Sequence, residues 1–367
     1  MSSVKKSFLA ALCFLSPLAI AQEVSTSSNN LLINANGPLS VSTNDGEYSI
    51  KLGGRLHWDY NRSELNDQVD EDTLDIRRAR LYVSGNVADW GYKIQFNIGE
   101  DGEGGTPEDL YVRYNGLDNG MTITVGRQKE PMGLTQLASS KDKRLLERTG
   151  AVEAFTPNRS NGILLEGAYQ NIYYATGLFE DDNTDEDNDG IGDGFNPLAG
   201  TSDFAFTSRV ASDIINNGNQ LIHLGASYTT RGGDVDGYGL EAAITAGNLH
   251  FQTEYLAQDR AGEDFDGYYF EGSWVITGES IPYSKGVFGR IKPNSPSGAW
   301  ELVARYEAGD GDYSDIELGF TDASATSIGV NWYPTNYIRF GLNYTTGDDD
   351  LSDDSGNELR ARLQFAI

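Results

Sequence analysis

Residues 72–99 read DTLDIRRARLYVSGNVADWGYKIQFNIG, two strand-like runs around a short turn. In the first run Ala79, Leu81 and Val83 alternate with Arg78, Arg80, Tyr82 and Ser84. In the second, Tyr92, Ile94, Phe96 and Ile98 alternate with Lys93, Gln95 and Asn97. A period of two sends successive side chains to opposite faces of a sheet, so one face is apolar and the other polar and cationic. Two architectures accept such a hairpin. In a sandwich the polar face meets bulk water; in a membrane barrel the apolar face meets lipid and the polar face lines a channel.

The rest of the chain favours the barrel. Residues 1–21 carry Lys5 and Lys6, an apolar run from Phe8 to Ile20 and the small-residue end Ala19-Ile20-Ala21, the three parts of a secretory signal peptide. The single cysteine, Cys13, lies inside it, so the exported chain has no disulfide or cysteine–metal option. Beyond Ala21 no stretch is apolar enough for a spanning helix, which leaves a closed barrel as the way to cross lipid. Removing Lys5 and Lys6 takes the formal charge from −28 to −30, which argues against nucleic acid as a partner.

Residues 22–46, rich in Ser, Asn and Thr, are expected to form a flexible periplasmic leader, and 47–367 the barrel. Sixteen alternating segments run from 48–60 to 358–367, joined in turn by short Gly/Asn/Asp/Pro turns and longer segments such as 61–72, 128–160 and 347–357. The connection 278–298 is long where that alternation asks for a short one. The expected fold is an all-β, sixteen-stranded antiparallel transmembrane barrel.

Charge is unevenly placed. Residues 180–203 hold nine acids and no Lys or Arg, whereas 127–159 carries seven cations against four acids, and 278–298 three against one. On the polar strand faces Arg78, Arg80, Lys93, Arg113 and Arg305 are candidate lumen-wall residues, since rings of Arg and Lys bias a pore toward anions. Arginine also donates in pairs to tetrahedral oxyanions. The competing reading is that each Arg pairs with a wall carboxylate and only stiffens the barrel. The alternate acids Asp185, Asp187, Asp189 and Asp193 fit a Ca²⁺ loop in their first half, but Asn196 stands where the bidentate Glu is needed, and a solvated acidic loop is the favoured reading. His57, His223 and His250 have no ligand spacing, and no nucleophile or phosphate-cradling motif stands out, so no enzyme is expected.

Several ordered motifs resemble the phosphate-selective porins, the porin O and P family of Gram-negative outer membranes. They include Ile76–Leu81 (IRRARL), Gly126–Pro131 (GRQKEP), Ser139-Ser140-Lys141, Glu147-Arg148, Trp274–Lys292, Gly298–Tyr306 and Leu359–Arg362. The resemblance implies a homotrimeric barrel whose third outer loop, here 128–160, folds into the lumen, with 278–298 adding to the narrowing. Lys129, Lys141 and Arg148 match the motifs; Lys143 and Arg144 join them as constriction candidates on charge alone. It further implies a channel for small anions, phosphate or phosphate-like, set among outer-membrane lipid and lipopolysaccharide. A cation-preferring porin, or an adhesive barrel with Ca²⁺-bound acidic loops, stays open because those loops are so heavily charged.

Overall fold

The computed structural model describes residues 31–35, 37–66, 68–98, 105–181, 204–232, 235–260, 263–311, 322–350 and 353–367. The expected signal peptide and the four candidate calcium ligands lie outside these residues. Two short strands come first, β1 (Leu31–Asn34) and β2 (Leu39–Thr43). The wall begins with β3 (Tyr48–Leu65), β4 (Gln68–Val87), β5 (Trp90–Asn97), β6 (Thr106–Tyr114) and β7 (Thr122–Lys129). It continues through β8 (Arg159–Tyr169), β9 (Ile172–Glu180), β10 (Phe204–Asn216), β11 (Gln220–Arg231), β12 (Val235–Ala246), β13 (Leu249–Arg260) and β14 (Glu263–Val275). A small hairpin, β15 (Tyr283–Ser284) and β16 (Val287–Phe288), lies within the next connection. The wall ends with β17 (Ala299–Asp310), β18 (Asp322–Tyr333), β19 (Ile338–Asp349) and β20 (Asp354–Ala366).

Every wall strand pairs antiparallel with its sequence neighbour, and β20 returns to β3 from Gly356↔Leu65 to Ala366↔Arg55, closing sixteen strands. The C-terminal residue completes the seam: Ile367 N donates to Gly54 O at 3.0 Å and Gly54 N to Ile367 O at 3.1 Å. Beyond that point the first residues of β3 pair instead with β2, whose Leu39 faces Leu52. The stretch read as a leader without strands therefore contributes two, because Leu31, Ile33, Leu39 and Val41 alternate around a glycine turn. The stretch 61–72, expected as a loop, is mostly strand, since backbone pairing between β3 and β4 runs on past the apolar side chains.

The distribution of side chains is inverted relative to a soluble sheet. Leu74 and Leu240 are 67% and 60% exposed, while Glu301, Asn331 and Gln364 are fully buried. A closed barrel with apolar residues outside and polar ones inside is built for lipid. On the outer face Trp300 stacks on Trp332, ring centroids 5.7 Å apart, and Trp332 on Phe340 at 5.4 Å.

Candidate functional site

The long connection between β7 and β8 contains two short helices, α1 (Leu134–Leu137) and α2 (Gly150–Phe155). Most of its backbone is irregular, so its donors and acceptors need partners from elsewhere. They come from the polar face of the wall. Glu254 accepts from Leu134 N at 2.6 Å and Thr135 N at 2.9 Å. Glu307 accepts from Gly150 N, and Gln258 donates to Phe155 O. Arg305 donates to the carbonyls of Glu147 and Arg148, Arg339 to those of Lys143 and Arg144, Arg362 to Leu146 O, and Gln364 to Lys141 O. Arg305 is therefore a fastener for this segment. Lys143 and Arg144 are buried against the same side, Arg144 on Glu301 at 3.3 Å.

Glu147 is the hub of this attachment. Arg362 lies 2.5 Å from it, Lys143 2.9 Å, Arg360 3.4 Å, Arg78 3.6 Å and Arg77 3.7 Å. Burial works against the charge, but Lys143, Arg362 and Arg78 beside it hold the Glu147 carboxyl well below the usual carboxylate range. Nearby, burial pushes Asp142 above an ordinary aspartate despite Lys141, Arg290 and Arg55. Lys141, which touches none of the described carboxylates within ion-pair distance, is lowered by burial.

Apolar contacts complete the seating. Met132, Val152 and Phe155 pack with Leu256, Phe265 and Tyr269 of the wall. Leu134 shares a second cluster with Ile281, Phe288 and Ile291 of the connection before β17. In that connection Lys285 and Gly286 both have positive φ (49° and 76°), the left-handed pair of a tight hairpin turn. Arg209 donates to Gly286 O at 2.8 Å and also pairs with Glu241. His223 bridges Glu241 and the Tyr283 hydroxyl at 2.9 and 2.8 Å.

A cavity of about 460 Å³ lies against β3–β10 and the 130–158 connection. Ten Lys and Arg residues line it, against Asp109, Glu153 and Glu166. Six of the ten had been singled out from sequence: Arg78, Arg80, Lys93, Arg113, Lys129 and Arg148. Arg55, Arg159, Arg209 and Lys285 complete the set. Many are partly neutralised. Arg159 Nη1 lies 2.7 Å from Glu108 and Nε 2.6 Å from Asp109; Arg80 pairs with Glu108, Lys93 with Asp109, and Arg113 with Glu166 at 3.3 Å. Glu108 and Asp109 are consecutive yet both buried, because the β5–β6 register shifts between Ile94 and Phe96.

Arg55 and Lys129 are different. Arg55 Nη1 donates to the hydroxyls of Ser139 (3.0 Å) and Ser140 (2.6 Å), and Lys129 to the carbonyls of Gln136 and Ala138. Neither has a carboxylate at ion-pair distance among the described residues. Motif and charge pointed to Lys129 and to Ser139-Ser140; nothing in the sequence ranked Arg55 above the other wall arginines. The remaining lining is mixed: Pro131, Leu137, Leu164, Ala168, Ala175 and Val287 stand among Thr122, Gln128, Asn158, Tyr173 and Tyr174, and Tyr111 carries the Arg113 guanidinium over its ring at 5.3 Å. No group of three His, Cys, Asp or Glu placed to hold a metal occurs among the described residues.

Comparison with known proteins agrees with this architecture. The chain is 30% identical to Porin O of Pseudomonas aeruginosa over 95% of each chain. Its fold is similar to an anion-selective porin from Comamonas acidovorans, with a TM-score of 0.60 and 15% identity over 88% of this chain and 100% of that one. It is also similar to OmpT of Vibrio cholerae in its trimer form, with a TM-score of 0.55 and 13% identity over 87% and 99%. Residues 50–201 and 200–367 match the family described as phosphate-selective porin O and P. A closed sixteen-stranded barrel, apolar outside and cationic within, thus carries that family's sequence from its first wall strand to its last residue: the chain belongs to the phosphate-selective porin O and P family and is an outer-membrane porin.

Proposed function

We propose that the channel conducts small anions, phosphate or phosphate-like, by passive diffusion, and that the 130–158 connection sets its narrow part. The observation that carries this reading is that two of the cavity cations without a carboxylate partner among the described residues, Arg55 and Lys129, are held by hydroxyls and carbonyls of the 130–158 connection, Arg55 by Ser139 and Ser140. An arriving oxyanion gains charge-assisted hydrogen bonds there without first displacing an acid. The paired cations around them, Arg80, Lys93, Arg113 and Arg159, keep the potential positive while their partners limit how tightly an ion is held. Conduction needs that balance, because a bound ion must also leave.

The acidic outer segments favour a second reading, a cation-preferring porin. The zero-current potential of the purified protein in a planar bilayer, across a KCl gradient, separates the two. An anion-preferring sign is expected; a cation-preferring sign overturns the proposal. The named resemblance to a trimer-forming porin supports a homotrimer for this chain, checked by the mass of the unheated detergent complex.

A further inference from the structure

The cavity has two unlike faces. On β3–β6 stand Arg55, Arg80, Lys93 and Arg113, with Tyr111 beneath Arg113. The other side carries Leu164, Ala168 and Ala175 of β8 and β9 and Val287 at the hairpin of the β14–β17 connection, hydrocarbon interspersed with Glu166, Tyr173, Tyr174 and Lys285. That second wall is held rigidly: Leu164 packs with Phe179, Ala205 and Ala175, and the hairpin is anchored through Gly286 to Arg209. A fully hydrated inorganic ion gains nothing from that hydrocarbon. The volume, about 460 Å³, also lies in the range of sites for small organic molecules, about 300–1,000 Å³.

Resting on the anion-channel reading, we propose that the preferred cargo is an organic phosphate, a phosphate monoester with a compact apolar or aromatic body. Its phosphate takes the cationic face, as inorganic phosphate would. Its body lies against Leu164, Ala175 and Val287, with the Tyr111 ring at the edge of the same space. Burying the body supplies hydrophobic and stacking contact that orthophosphate lacks.

The test is block of the chloride current through the full chain in planar bilayers, by inorganic phosphate and by phenyl phosphate in parallel. Phenyl phosphate is expected to half-block at a concentration roughly 2- to 10-fold lower, the worth of one aromatic or apolar contact. In Val287→Asn, and separately in Leu164→Asn, the ratio of the two half-block concentrations is expected to fall toward one. Equal or weaker block by phenyl phosphate in the unaltered protein overturns the proposal while leaving the anion channel standing. So does a ratio that neither substitution moves. If inorganic phosphate itself leaves the chloride current unchanged, the anion-channel reading falls, and this proposal with it.

Discussion

Arg55 owes its importance to its company. The two hydroxyls that hold it leave its formal charge intact for a visitor. Arg55→Gln is expected to weaken phosphate block of the chloride current about tenfold or more, the worth of a charge-assisted hydrogen bond. Arg113→Gln, whose charge is already shared with Glu166, is expected to cost less in the same measurement. Asp142 gives the pH dependence. Its carboxyl is raised by burial, so it takes up a proton above the pH at which an ordinary aspartate does. As pH falls from neutral toward about 4, a negative charge beside Arg55 disappears. The zero-current potential is then expected to shift further toward anions, and the cost of burying the ionised group is relieved on the acid side. An alternating sequence names the wall cations; it does not say which keep a partner, since Glu108 turns inward only through a bulge.

At the level of elements, the wall was legible and the interior was not. Alternation located all sixteen strands, because lipid outside and water inside enforce opposite faces on every one. It misjudged where strands stop: Asn61–Leu65 and Gln68–Asp72 pair as strand although most of their side chains are polar. The 130–158 connection stood out by its cationic surplus and family motifs, but its charges did not show which cations would be spent within it, as Lys143 and Arg144 are on Glu147 and Glu301. Glu147 is the residue to remove. Its charge persists in acid, because the depressed carboxyl contributes stability above the ordinary carboxylate range and loses it only as pH falls through the lower folded value. Glu147→Gln leaves five cations without their common partner, and loss of a buried pair member typically costs about 3–5 kcal/mol. Faster amide hydrogen exchange over 140–150 and noisier open-channel current are the expected results. Phe288→Ala opens the cluster shared with Leu134 and is expected to loosen the same segment from below, again read by hydrogen exchange at 132–138.

The whole molecule is a strongly acidic chain, formally −28, around a cation-lined cavity. Such an arrangement depends on ionic strength. The screening length falls from about 10 Å at 0.1 M to about 3 Å at 1 M. The anion preference is therefore expected to shrink with total salt when zero-current potentials are measured at a fixed gradient ratio, while short-range block by phosphate weakens less.

The outer wall offers a way to watch this barrel form. Trp300 and Trp332 come from β17 and β18 and lie nearly parallel, 17° apart, in register across the ladder. Two indoles so close couple their electronic transitions, so strand pairing there should produce a split circular-dichroism band that neither tryptophan gives alone. The band reports the docking of the last third of the wall, strand against strand, and Trp300→Phe would erase it without touching the cavity.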